Sequence, residues 1–229
     1  MSNGTGGGRT GLSTSREELL REIYGRLFAF WGPQRWWPAE TQFEVILGAI
    51  LTQNTAWKNV ATAIGNLRRY DLLSFDGLCG LSLQDLAALI RSSGFYNQKA
   101  KKIKAFCNHI LTKWDGRLEE FLSRDMEALR TDLLGIRGIG PETADSIVLY
   151  AAFKPSFVVD TYTYRIFSRH GWVGESISYE ELREYFMGAM EPDVPLFQEF
   201  HALLVRTGHL YCRKTALCQS CPLNVLFTQ

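Results

Sequence analysis

Residues 135–145 read Gly-Ile-Arg-Gly-Ile-Gly-Pro-Glu-Thr-Ala-Asp: closely spaced glycines, a proline, then a helix-like run. Gly138 and Gly140 allow a left-handed backbone or a close backbone approach. Pro141 suits the first turn of a helix, where its missing N–H costs nothing. Amides at such a turn, with a helix N-terminus behind them, can point at an anion such as a phosphate. The same spacing also serves as a plain tight link between two helices. Glu142 falls in the first helical turn, where a carboxylate favours the helix dipole. Eighteen residues on, Asp160 stands before Thr-Tyr-Thr-Tyr-Arg-Ile-Phe, where it can cap a helix. Near the C-terminus Cys212, Cys218 and Cys221 form C-x5-C-x2-C, a grouping closer to metal ligation than to a disulfide framework. Lys99, Lys101, Lys102 and Lys104 make a basic run that fits phosphate contact or a solvated helix face.

The elements that must carry these groups read as helices. Ser15 can cap a helix through Arg-Glu-Glu-Leu-Leu-Arg-Glu-Ile-Tyr, with apolar residues at helical spacing. Residues 32–38, Gly-Pro-Gln-Arg-Trp-Trp-Pro, break it. Residues 41–70 predict two helices with a polar interruption at Gln53-Asn54-Thr55. Further helical runs follow to residue 212, joined by short connections. Only Ser156–Asp160 has strand-like content, too little for a sheet. The predicted fold class is all-α. The Gly/Ser/Thr-rich residues 1–15 predict a disordered tail without the apolar core of a secretory signal. No apolar run is long enough to span a membrane. The net charge of +1 announces no bulk positive field, so a DNA-binding face would have to be local.

The stretch Leu-Leu-Gly-Ile-Arg-Gly-Ile-Gly-Pro-Glu-Thr-Ala-Asp, followed by Ser-Phe-Val-Val-Asp160, resembles the helix-hairpin-helix and Gly/Pro-Asp element of the endonuclease III superfamily of DNA glycosylases. Three further segments match in order: residues 43–60, residues 92–103 with Gly-Phe-Tyr-Asn-Gln-Lys-Ala, and residues 200–212. The combination of Trp36-Trp37-Pro38, Leu-Thr-Gln-Asn-Thr-Ala-Trp57 and a hairpin without lysine is most similar to the 3-methyladenine glycosylase branch.

The resemblance implies a two-lobed helical enzyme of base excision repair. It implies one lobe over residues 41–150 with the hairpin at 133–152. The second would join residues 16–40 to 151–229. Double-stranded DNA with a damaged base is the implied partner, and a monomer inside the cell the implied state. Asp160 would stabilise positive charge on the sugar and orient water. Trp36, Trp37, Pro38, Trp57 and Glu142 would line the base pocket, with Trp57 stacking on the flipped base. Gln53 matches a wedge residue, and Phe95 and Tyr96 a loop that probes the opposite strand. Phe95 and Tyr96 also read as a packed helix boundary. Lys99, Arg137, Gly138 and Gly140 would meet phosphates. His201 reads as a structural histidine.

In strand-cleaving members a lysine at the position of Glu142 forms a Schiff base. A carboxylate cannot do so, so the expectation is a monofunctional glycosylase that uses water. The rivals are a strand-cleaving enzyme with a [4Fe–4S] cluster and a non-catalytic damage-binding protein. Glycosylase chemistry itself requires no cofactor. Family members with a cluster carry C-x6-C-x2-C-x5-C; here the first gap is one residue shorter and Phe227 stands near the fourth position. Cys79 and Cys107 match no ligand position. A cluster with another ligand, a zinc site and a loop without metal all stay open.

Overall fold

The computed structural model describes residues 15–226. The expected tail lies outside the described residues except for Ser15. That residue caps α1 with a reciprocal box: its hydroxyl accepts from Glu18 N, and Glu18 accepts from Ser15 N at 2.8 Å.

The helices are α1 (Arg16–Trp31), α2 (Gln42–Leu51), α3 (Trp57–Arg69), α4 (Phe75–Gly80), α5 (Leu83–Leu89) and α6 (Tyr96–Trp114). They continue with α7 (Leu118–Ser123), α8 (Met126–Leu134), α9 (Pro141–Ser146), α10 (Thr161–Arg169), α11 (Tyr179–Met187) and α12 (Val194–Leu210). No strand occurs among the described residues, as the all-α expectation requires. Helix starts are written locally: side chains of Thr41, Ser74, Ser82, Asp125, Asp160, Ser178 and Asp193 each accept a first-turn amide.

Packing then selects the faces. Every residue of α2 from Phe43 to Leu51 is buried, so it runs through the interior against α3, α6 and α9. Leu20, Ile23 and Leu27 of α1 are fully buried, and α1 packs on α12. Each such side chain contributes about 1.5–3 kcal/mol. Phe157, Phe186, Phe197 and Phe200 form an aromatic centre below α10–α12, with Phe157 stacked on Phe186 at 3.8 Å.

Two features position the candidate site. After Ser146 the helix α9 continues as a π-helical turn, Ile147–Ala151, entirely buried. Asp145, fully buried, anchors a charged network behind it. Its carboxylate accepts from Arg130 Nε at 2.8 Å and Tyr179 Oη at 2.8 Å, and from Ser156 Oγ. Arg183 Nε lies 3.2 Å away. The network ties the helix after the hairpin to α8, to α11 and to the extended segment that ends at Asp160.

Candidate active site and DNA interface

Asp160 is the N-cap of α10; its Oδ1 accepts the Thr163 amide at 2.7 Å. That bond fixes the carboxyl group, and Oδ2 makes no hydrogen bond to a described residue. Its charge reaches three groups. Burial, reinforced by Asp160, holds the Glu142 carboxyl up to about 7. Burial and the same charge keep the Tyr150 phenol protonated well beyond its ordinary range. Burial lowers the His201 imidazole, with Asp160 opposing. Glu142 has solvent-open surface while protein crowds its carboxyl.

Tyr150 joins this charged centre to the tryptophans. Its hydroxyl lies 2.7 Å from His201 Nδ1 and 3.2 Å from the Gln198 carbonyl. Its ring meets Trp37 at 5.0 Å, and Trp37 meets Trp57 edge-on at 5.7 Å. Trp37 lies against Gly48, where an added Cβ would come within 3.2 Å of the indole. Trp37 Nε1 and His201 Nε2 are buried without a hydrogen-bond partner among the described residues. Nothing in the sequence singled out Tyr150, which looked like one more apolar residue of its helix. Asp145 was missed too; its signal was an acid inside the apolar run Ala-Asp-Ser-Ile-Val-Leu.

The five predicted pocket residues separate into two groups. A cavity of about 310 Å³ takes Trp36 and Trp37 into its wall with Tyr150, Phe153 and Gln198. Trp57, Glu142, Asp160 and Pro38 stand outside that wall. The Asp160 and Glu142 carboxyls thus lie apart from this cavity.

The hairpin presents its turn as the glycine spacing suggests. Gly138 takes φ +93°, and a Cβ there would fall 2.5 Å from Lys102 Cγ, so only glycine fits under that side chain. Gly140 instead has φ −96° and caps α9 without a side chain. Ile136 and Ile139 anchor the turn in the core while Arg137, Gly138 and Gly140 face solvent. Gln53 lies across the turn. Its Nε2 donates to Thr143 Oγ1 at 2.9 Å, and its Oε1 accepts from Lys102 Nζ. Phe95 is 70% exposed in the left-handed region, directly before α6. Tyr96 is half-buried beneath Arg91.

Lys99 corrects the sequence reading. It is 2% exposed, and its ammonium donates inward to the carbonyls of Leu51 at 2.8 Å and Ser93 at 2.6 Å. These carbonyls at a helix end and a turn need donors, and the long aliphatic stem allows burial. Lys99 therefore does not face a phosphate. Lys104 likewise donates to the carbonyls of Leu78 and Cys79.

The three C-terminal cysteines differ in setting. Cys212 is buried, with Arg169 Nη1 3.5 Å from its sulfur. Cys218 is exposed; burial, then the neighbouring Cys212 and Cys218, push the Cys221 thiol up. No three His, Cys, Asp or Glu side chains among the described residues are arranged to hold a metal ion. Three thiols, one packed beside a guanidinium, do not complete the four-thiolate set of a [4Fe–4S] cluster. No described helix is long and apolar enough to cross a membrane.

Comparison with known proteins agrees with this geometry. Residues 47–192 match the family described as HhH-GPD superfamily base excision DNA repair protein. A Methanocaldococcus jannaschii protein provisionally named a DNA repair glycosylase is 45% identical over 215 residues, covering 93% of this chain and 97% of its own. Endonuclease III of Thermotoga maritima is 32% identical over 208 residues, covering 90% and 88%. Among solved structures, the 3-methyladenine DNA glycosylase of H. pylori bound to 1,N6-ethenoadenine superposes with a TM-score of 0.71 at 29% identity, covering 85% of this chain and 97% of that one. The family match over residues 47–192 and the 45% identical relative show that the chain belongs to the HhH-GPD superfamily of base excision DNA repair proteins.

Proposed function

We propose that the protein is a monofunctional DNA glycosylase that releases N-alkylated purines from duplex DNA. The observation that carries this reading is the pairing of Asp160 with Glu142, a carboxyl where strand-cleaving relatives place an amine. Lys99 and Lys104 are tied to backbone carbonyls and Lys102 to Gln53, which also supports a water-using reaction.

In the proposed reaction the base is rotated out of the duplex and stacks on Trp57. The C1′–N bond breaks with its electron pair leaving on the base. Positive charge grows on the sugar, and Asp160 stabilises it electrostatically. Water adds to C1′ and gives its proton to Asp160 or solvent. The products are a free base and an abasic site. A cationic alkylpurine leaves as a neutral base without receiving a proton, and an aromatic face binds such a cation well. For an uncharged base, Glu142 in its protonated form is available as a donor. The cleft would lie between a lobe of residues 41–150 and a lobe of residues 16–40 plus 151–229.

The test is a gel assay on duplexes that carry one alkylated purine, one oxidised pyrimidine or a preformed abasic site. Strand breaks at the alkylpurine that need alkali, with no borohydride-trapped adduct, are expected. Direct cleavage with a trapped adduct would transfer the assignment to a strand-cleaving enzyme.

A further inference from the structure

We propose that a basic pocket between α10 and α12 binds a phosphodiester of the DNA backbone, an assignment that rests on the glycosylase reading above. The cavity, about 490 Å³, is lined by Tyr162, Arg165, Gly208, His209 and Arg213. Two guanidiniums, an imidazole and a phenol face it, and no carboxylate stands in its wall.

The pocket is built rather than incidental. The Arg165 guanidinium lies over the Tyr162 ring at 5.0 Å and donates one hydrogen bond, from Nη2 to the Gly208 carbonyl at 3.3 Å. A guanidinium has five donors in a planar fork that matches phosphate oxygens. Arg165 Nε is buried without a partner among the described residues. Tyr162 Oη lies 3.4 Å from His209 Nδ1. Gly208 makes the arrangement possible: a Cβ there would fall 2.5 Å from Tyr162 Cβ and 2.7 Å from its Cδ1. Arg213 is steadied from behind, where Arg169 donates to the carbonyls of Arg213 at 2.6 Å and Lys214 at 3.4 Å.

On the glycosylase reading, a phosphate held here belongs to the same duplex as the base at Asp160, and the contact helps to fix the protein's register on that duplex. The hairpin supplies the other grip. Free inorganic phosphate offers the same oxygens, so the experiment must separate the two.

Anisotropy measurements with an abasic-analogue duplex and an undamaged duplex, from 50 to 200 mM salt, decide the matter. Arg213→Gln, an exposed position, is expected to weaken both duplexes alike and to lower the salt slope by about 0.9. Arg165→Gln should act in the same direction. Lys113→Gln, near the far end of α6 from Phe95, should leave the slope unchanged. A wild-type slope in both arginine variants would overturn the pocket. So would His209 proton shifts on titration with inorganic phosphate alongside an unchanged DNA slope, which would assign a free anion. If the wild-type protein ignored both duplexes, the glycosylase reading would fall, and the pocket with it.

Discussion

Asp160 and Glu142 are unequal carboxyls coupled through space. Asp160 is held by the Thr163 amide, whereas burial and then the charge of Asp160 raise Glu142 from its ordinary 4.5 to about 7. The folded chain therefore binds the Glu142 proton more tightly than the unfolded chain. That contribution to stability is whole below about 4.5 and is lost as pH rises through about 7. Glu142→Gln removes this dependence. Its melting temperature should rise relative to the parent between pH 5 and pH 8, and the gap should close in more acid solution. Parallel melting curves across pH would refute the shift.

In the proposed mechanism Asp160 combines two roles that substitutions can part. Asparagine caps helices about as well as aspartate but carries no charge. Asp160→Asn should keep the melting temperature and DNA affinity while base release falls by about 10²-fold or more. Asp160→Ala should lose the same activity and also about 1 kcal/mol of stability with the cap. Single-turnover release and thermal melts of both variants check this; release surviving in the asparagine variant would remove Asp160 from the chemistry.

The Asp145 network predicts a stability defect away from the reacting atoms. Asp145→Ala leaves Arg130 and Arg183 buried without their shared carboxylate. Loss of roughly 3–5 kcal/mol is expected, measured by urea unfolding. Because Ser156 bonds the same carboxylate, release should slow even at temperatures where the variant stays folded.

In the proposed mechanism Trp57 separates lesion recognition from DNA binding. Trp57→Ala should weaken an alkylpurine duplex by about 1–3 kcal/mol, the worth of one stacked base, and leave an undamaged duplex unaffected. Trp57→Phe should restore much of the difference. Equal loss on both duplexes would place Trp57 in general DNA contact or in packing.

Much of this architecture was legible in the chain because its signals are local. Caps at Ser15 and Asp160, the Gly138 turn and the helical spacing of α1 need no distant partner to be read. The short helices α4 and α7 escaped because six residues hold too little of a period to recognise. Lys99 misled for the opposite reason. Its neighbours Lys101 and Lys102 made it look like part of a charged face, and only the fold brings the Leu51 and Ser93 carbonyls to it. Tyr150 and Asp145 gain their meaning from partners 51 and 15 residues away, His201 and Arg130, which no local pattern encodes.

The π turn at Ile147–Ala151 has a consequence for how the chain tolerates changes in length. A wider turn holds an extra residue relative to an α-helix. Removing one residue within it would restore the tighter spiral and leave the side chains beyond it near their present bearings, because the wider turn is what absorbs the extra residue. A length change in the α-helical part before it would instead swing Tyr150 by about 100°, away from both Trp37 and His201. The turn should therefore tolerate loss of a residue better than the helix that leads into it.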